Sequence, residues 1–117
     1  MNELFDLKKH REEMNKKIFY LQNKQINRLF ALDTRAYLDG ELSKKIKELL
    51  GLISSLILRY DDCDKYHMIR AVQEGCTDCE ISETLAIGLI VGSTITVPAL
   101  RKTEDILSKL RETQSKG

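Results

Sequence analysis

Apolar residues recur at helical spacing along almost the whole chain, with charged residues between them. Leu7, Met14 and Ile18 form one such stripe near the N-terminus. No stretch alternates apolar and polar residues over the length of a strand, and there is a single proline. The pattern predicts helices over about 4–22, 25–38, 43–59, 61–75, 78–91 and 96–111. The expected fold is therefore all-α, a bundle of about six helices.

Local signals support the boundaries of these helices. Ser43 is a candidate N-cap of the third helix. Thr77 followed by Glu80 fits a capping box at the start of the fifth. Gly88 and Gly92, four residues apart, leave a strip where another helix can approach closely. The second half of the third helix is apolar on nearly all sides, so we expect it to be buried, in the domain centre or partly in a subunit interface.

Composition narrows the class of protein. The chain has 117 residues with a formal net charge of +1, which suits one domain, 1–117, and gives no footprint for nucleic acid. The first residues contain no apolar stretch of signal-peptide type. The longest apolar run, residues 49–58, is broken by Gly51, Ser54 and Ser55 and is too short to cross a bilayer. We therefore expect a cytoplasmic protein that contacts no membrane, and three cysteines that serve as free thiols, redox groups or metal ligands.

Candidate chemistry is concentrated in the third and fourth predicted helices. Cys63 and His67 are four residues apart and so share one face of a helix. A thiolate is the reactive form of cysteine, and a neighbouring imidazole can generate it. Glu48, one helix upstream, could orient the imidazole or carry protons. The neighbouring aspartates act against a thiolate, because nearby negative charge disfavours it.

Several motifs in this order resemble the carboxymuconolactone decarboxylase superfamily, in its alkylhydroperoxidase D-like branch. They are Glu48 with the apolar helix after it, Cys63 four before His67, Glu74-Gly75, and the capped turn 77–81. The resemblance implies an alkylhydroperoxidase D-like helical fold. It divides the chain into N-terminal helices, 1–40, and core helices that carry the site, 41–111.

In that branch the site is a glutamate, a Cys-x-x-Cys pair and a histidine four residues after the second cysteine. By position, Glu48, Cys63 and His67 match the glutamate, the second cysteine and the histidine, and Tyr60 replaces the first cysteine. The resemblance implies a peroxidase or thiol oxidoreductase, an antioxidant enzyme, that uses Cys63 with a Glu48–His67 proton relay and no cofactor or metal ion. The Tyr60 hydroxyl would bind substrate, and an external thiol would act as reductant.

Two other functions stay open. The decarboxylases of the superfamily keep the glutamate and histidine without the cysteines, which would make this chain a lyase with His67 and Glu48 as acid and base. Alternatively, it is a non-catalytic, ligand-binding member. Relatives commonly assemble as trimers or hexamers, so a homo-oligomer is expected in each case.

The remaining cysteines and two arginines near the site are not assigned a role in the reaction. Cys76 and Cys79 form a literal Cys-x-x-Cys, but they fall in a turn between helices, with no strand nearby, and are interpreted as incidental. Two less favoured roles are resolution of oxidised Cys63 and a zinc site shared with Cys63 and His67. Arg59 and Arg70 could stabilise an anionic substrate, but a surface role is favoured.

Overall fold

The protein is all-α in the computed structural model, which describes residues 3–116, with side chains for 6–60 and 62–113. No strand occurs within that range. The six α-helices are α1 (Glu3–Tyr20), α2 (Lys24–Ala36), α3 (Lys44–Leu58), α4 (Asp61–Gln73), α5 (Asp78–Gly92) and α6 (Val97–Lys116). A 3-10 turn, Ser93–Thr96, joins α5 directly to α6. The predicted fold class is therefore confirmed, although the six helices form only five uninterrupted segments.

The chain divides into two compact units, residues 1–39 and 40–117. The first contains α1 and α2. Its turn passes through Gln22 in the left-handed conformation, with φ 56°, and Asn23 caps α2 by accepting a hydrogen bond from the Ile26 amide. The rings of Phe19 and Phe30 meet edge to face with centroids 4.9 Å apart, which ties the two helices together.

The second unit is built around α3 and α4, which pack on one another. Helix α5 packs on α3, and α6 packs on α4. Fully or nearly fully buried apolar side chains from all four helices form the core, among them Leu52, Leu56, Met68, Ala71, Ile81, Leu85 and Ile106. This core fixes the relative position of α3 and α4, the two helices that carry the predicted site.

The helices of the second unit begin where the sequence predicts. The Ser43 hydroxyl accepts from the Ile46 amide at the start of α3. Thr77 and Glu80 form the complete capping box at the start of α5. Between α3 and α4, Arg59 adopts the left-handed conformation with φ 60°, and the Tyr60 amide donates to the Ser55 carbonyl. This tight turn places the start of α4 directly after the end of α3.

Gly88 is the point of closest approach between α3 and α5. It is buried, and a Cβ atom there would collide with the side-chain end of Ile53. The absence of a side chain at position 88 therefore lets Ile53 occupy the space. The flat strip predicted from the glycines is an α3–α5 packing site at Gly88, whereas Gly92 lies against Thr96 of the 3-10 turn.

Helix α3 is not buried on all sides within one chain, so the prediction that it lies in the domain centre is wrong. Ile46, Leu50 and Leu58 are each between 44% and 61% exposed. Its buried side consists of Glu48, Leu52, Ser55 and Leu56. Because one small unit has too few helices to surround α3, its second apolar side remains open.

The joined α5–α6 segment is also more apolar than its burial accounts for. Within Asp78–Thr113, one window of 18 residues reaches a mean hydropathy of 1.6, sufficient in length and composition for a membrane span, and 22% of it is buried. This apolar stretch is longer than residues 49–58. Length and composition do not distinguish a spanning helix from an interface helix, so the absence of membrane contact stays a prediction.

Candidate functional site

Glu48 and His67 form a hydrogen-bonded pair between α3 and α4. Oε1 of Glu48 lies 2.9 Å from Nδ1 of His67. Glu48 is 2% exposed, and the His67 side chain is 12% exposed. A carboxylate only accepts hydrogen bonds, so Nδ1 carries the proton and donates it to Glu48. The other ring nitrogen, Nε2, is then the atom of neutral His67 that can take up a proton.

Cys63 lies on the same face of α4 as His67, one turn earlier. Its thiol forms no disulfide and is half-buried. It is the third residue of α4, where the unpaired amides of the helix N-terminus favour negative charge. The structure thus brings Glu48 and His67 into contact, and the helical spacing places Cys63 on the His67 face. The proton relay to the thiol stays a prediction.

Tyr60 immediately precedes α4 and is the N-cap residue of that helix. Its backbone carbonyl accepts from the Asp64 amide at 2.9 Å, but its side chain makes no capping hydrogen bond and is 58% exposed. The Tyr60 side chain therefore lies on the surface at the start of α4, three residues before Cys63. This position is compatible with substrate contact, which stays a prediction.

Arg70 belongs to the site, although a surface role was favoured from the sequence. Its Nε lies 3.4 Å from Oε2 of Glu48, the oxygen not used by His67. Its Nη2 also lies 3.8 Å from Oε2 of Glu74, and Glu74 lies 3.8 Å from Lys44 Nζ. Arg70 is one helical turn beyond His67, which places both on the α3 side of α4. That spacing of three was the signal available in the sequence.

The ring of Tyr66 meets that of His67, the next residue on α4. Their centroids are 5.7 Å apart with the planes at 63°, an edge-to-face contact between neighbouring residues. The ring of Tyr66 therefore limits the orientations open to the imidazole.

Cys76 has a structural environment. It is 2% exposed, and its Sγ lies 3.8 Å from the Lys45 carbonyl oxygen, a weak hydrogen bond donated by the thiol. Burial, reinforced by the nearby Glu80 carboxylate, raises the pKa of the Cys76 thiol. It directly precedes the Thr77 cap, and buried Ile81 follows on the first turn, the arrangement of a hydrophobic staple. A protonated, packed thiol of this kind is a poor nucleophile.

Cys79 is exposed at the start of α5, beside a shallow open depression of about 460 Å³. The depression is lined by Val72, Gly75, Cys76, Thr77, Asp78, Cys79 and Arg111. Arg111 is occupied there by the Asp78 carboxylate and the Cys76 carbonyl. The depression contains no imidazole, and it lies beyond the C-terminus of α4, away from His67.

The two less favoured roles of the Cys-x-x-Cys pair do not fit this geometry. The Cys76 amide donates to the Ala71 carbonyl. Ala71 lies eight residues after Cys63 in the same helix, about 12 Å along the axis. A disulfide requires Cα atoms within about 7 Å, and a zinc ion requires ligands within about 2.3 Å. Within a single chain, Cys76 therefore neither resolves Cys63 nor shares a metal ion with it.

Comparison with known proteins identifies relatives of this chain. The family model of the carboxymuconolactone decarboxylase family matches residues 26–103. A crystal structure of TM1620 from Thermotoga maritima is 43% identical, with a TM-score of 0.93, over 96% of this chain and 98% of that one. A second structure of TM1620 has 43% identity and a TM-score of 0.91, over 96% and 95% of the two chains; it names that protein as a family member with a suggested involvement in the antioxidative response.

A more distant family member, lpg0406 from Legionella pneumophila, shares the fold at 19% identity. Its TM-score is 0.83, over 93% of this chain and 97% of that one. The comparison with curated proteins found no match.

Proposed function

The chain belongs to the carboxymuconolactone decarboxylase family, and from that premise we propose that it reduces hydroperoxides through the single thiol of Cys63. The observation that supports this most is the 2.9 Å contact between buried Glu48 and His67, one turn from Cys63. It orients a base one helical turn from the nucleophile on α4, with the orienting carboxylate on the adjoining helix α3. The antioxidative role suggested for TM1620 is of the same kind.

In the proposed reaction, His67 Nε2 accepts the Cys63 proton, and the thiolate attacks the terminal oxygen of a hydroperoxide. The S–O bond forms as the O–O bond breaks, so sulfur is oxidised to sulfenic acid and the peroxide is reduced. The imidazolium returns its proton to the departing alkoxide, which leaves as an alcohol. Glu48 stabilises the imidazolium through Nδ1.

The oxidised enzyme requires a thiol from outside the chain. Tyr60 occupies the place of a nearby resolving cysteine, and α4 separates Cys63 from Cys76. A first external thiol condenses with the sulfenic acid and releases water. A second attacks the mixed disulfide and restores the Cys63 thiol as the external disulfide leaves. We propose a small thiol or a reduced dithiol protein as this reductant.

Peroxide-dependent oxidation of each cysteine tests the proposal. The native protein would be treated with cumene hydroperoxide, trapped with a sulfenic-acid reagent and analysed by mass spectrometry. We expect Cys63 to be oxidised first, at a rate that falls at least 100-fold in His67→Gln. Cys79→Ser is the matched control and should leave the rate unchanged. Oxidation of Cys63 no faster than that of Cys79 would contradict the proposal.

A second candidate function is acid–base catalysis without the thiol, in a lyase or isomerase. The observation that favours it is that the Glu48–His67 pair is complete without Cys63, and that Tyr60 removes the usual disulfide partner. Activity on a lactone or 2-carboxy acid that survives Cys63→Ser but not His67→Gln would support this function. If neither variant changes any redox or ligand-binding property, the non-catalytic role remains.

We also propose that the protein is a homo-oligomer, with a second copy covering its open apolar surface. Exposed apolar side chains are numerous on α3 and at the end of α5, among them Leu50, Leu58, Ile87, Ile90 and Val91. An apolar surface of this extent is usual in a subunit interface. Light scattering after size exclusion should give a trimer or hexamer, and Ile90→Glu should reduce it. A monomer that binds lipid vesicles would instead favour membrane contact.

A further inference from the structure

Arg70 contacts the carboxylate oxygen that His67 leaves available. Oε1 of Glu48 is used by His67 and Oε2 by Arg70, so the carboxylate is held from both sides. The Arg70 side chain is 27% exposed, whereas that of Glu48 is 3% exposed. The cation thus connects a buried carboxylate with the solvent-accessible side of the helix pair.

A cation beside a buried carboxylate favours the ionised form of that carboxylate. A buried carboxylate without a cation is unfavourable, because burial penalises its charge. Without Arg70, the pair would compensate by retaining one proton, on the imidazole or on the carboxyl. With Arg70 present, the guanidinium supplies the compensating charge and the pair can release that proton. A neutral imidazole can act as a base, whereas an imidazolium cannot.

We propose that Arg70 is a positioning residue that keeps Glu48 ionised and directed at His67, and so makes His67 a neutral base. This inference rests on the proposed function, in which His67 accepts the Cys63 proton. Arg70 itself touches neither the peroxide nor the thiol in this scheme. It acts through Glu48.

Other charged and titratable groups surround this cluster and would contribute to its pH dependence. Helix α3 supplies Lys44 and Lys45, α4 supplies Cys63, Tyr66 and Glu74, and beyond α4 lie Cys76 and Glu80. Glu74 already binds Arg70 and Lys44, and Glu80 already binds Lys45. The charges of Glu74 and Glu80 are thus paired with lysines or with Arg70. The Arg70 guanidinium lies within 4 Å of the Glu48 carboxylate.

An NMR titration of the imidazole nitrogens tests the inference without peroxide. The full-length protein would be labelled with ¹⁵N-histidine, and His10, which is exposed on α1, would serve as the internal reference. In Arg70→Gln we expect the midpoint of the His67 signal to move up by about one pH unit, since a cation this close favours ionisation of a carboxylate by that order. Arg70→Lys should lie between this variant and the native protein. The acid limb of the Cys63 oxidation rate should move by the same amount.

Arg111→Gln is the matched control, because Arg111 also binds a carboxylate and a carbonyl but lies beyond α4. It should lower stability without moving the His67 midpoint. A midpoint in Arg70→Gln equal to that of the native protein would overturn the inference. If Arg70→Gln does not fold, the Arg70 Nε–H resonance is compared in the native protein and Glu48→Gln, and an unchanged resonance would overturn it equally.

The two proposals can fail separately. A shifted midpoint in Arg70→Gln combined with no peroxide reaction at Cys63 would contradict the peroxidase function and leave the Arg70–Glu48–His67 coupling intact. A rapid peroxide reaction with an unshifted midpoint would contradict only the role of Arg70.

Discussion

Oε1 of Glu48 lies 2.9 Å from Nδ1 of His67, and the two residues come from different helices of the core. The contact fixes both the tautomer and the orientation of the imidazole, because the carboxylate accepts and Nδ1 must donate. The Glu48 carboxylate is only 2% exposed, and burial of a charged group costs free energy unless the charge is paired. This buried contact therefore determines that Nε2 is the nitrogen of neutral His67 that can accept a proton.

Replacement of Glu48 by glutamine should separate this electrostatic role from packing. The amide keeps the shape of the side chain but cannot stabilise an imidazolium, so we expect the Cys63 oxidation rate to fall about 100-fold. Glu41→Gln, on an exposed position before α3, is the control and should leave the rate unchanged. Rapid-mixing kinetics with cumene hydroperoxide would measure both, and equal rates would remove Glu48 from the mechanism.

Introduction of a cysteine at position 60 should change how the oxidised enzyme is reduced. Tyr60 and Cys63 are three residues apart at the start of α4, so a thiol at position 60 would be near Cys63. We expect Tyr60→Cys to form an intramolecular disulfide after peroxide treatment, a loss of two hydrogens by mass spectrometry. The native protein should instead form a mixed disulfide with the added thiol. Tyr66→Cys is the control, and an equal yield of disulfide in it would contradict the expectation.

The three thiols should differ in alkylation rate. The pKa of Cys76 is raised by burial from the ordinary value of 9.0, so its thiolate is scarce at neutral pH. Because the folded-state pKa is above the unfolded one, the associated stabilisation is present below pH 9.0 and is lost as the pH rises through the folded value. With iodoacetamide at about pH 8, we expect Cys76 to react far more slowly than exposed Cys79. Similar rates would show that the Cys76 thiol is accessible and ionised.

The charge of Glu80 should contribute to stability only above acidic pH. A hydrogen bond from the Thr77 amide, followed by one from Lys45, lowers the Glu80 pKa from its ordinary value of 4.5. The lowered folded-state value means that the contribution is present above pH 4.5 and is lost as the pH falls through the folded pKa. Urea unfolding should therefore show Glu80→Gln less stable than the native protein at about pH 7 and equal to it at about pH 2.5. Glu83→Gln, exposed on the same helix, should show no such dependence.

Substitution of Gly88 by alanine should destabilise the protein despite alanine's higher helix propensity. The added methyl group would overlap the end of Ile53, and overpacking of this kind costs about 1–3 kcal/mol. Thermal or urea unfolding would measure it. In the double variant Gly88→Ala with Ile53→Val, the second change removes one methyl group and should recover part of the lost stability. Combination of Ile53→Val with Ala86→Gly should give no such recovery.

Sequence reasoning predicted the local features that depend on neighbouring residues. The helices, the Ser43 cap and the Thr77–Glu80 capping box follow from periodicity and from cap chemistry, and all are present. The approach of α3 to α5 followed from Gly88, because a missing side chain leaves a space that a neighbouring helix can use.

Features that depend on the crossing of helices were predicted less well. Arg70 was placed on the surface, since its spacing of three from His67 indicates a shared face of α4 but not that Glu48, 22 residues earlier, lies within reach. The resemblance to a known family, and not the spacing, predicted that Glu48 would face His67. The exposed side of α3 also differed from the prediction, because the number of helices that surround it depends on the whole fold and on any second copy.

The length of α4 has a consequence for how long the oxidised protein would persist. With Cys63 near one end of the helix and Cys76 beyond the other, a molecule oxidised at Cys63 has no internal route back. In the proposed function, the lifetime of the sulfenic acid is set by the concentration of thiol in the surroundings. The fraction of protein oxidised at Cys63 would then depend on the ratio of peroxide to external thiol. In an enzyme with an internal disulfide partner, the sulfenic acid would not depend on external thiol in this way.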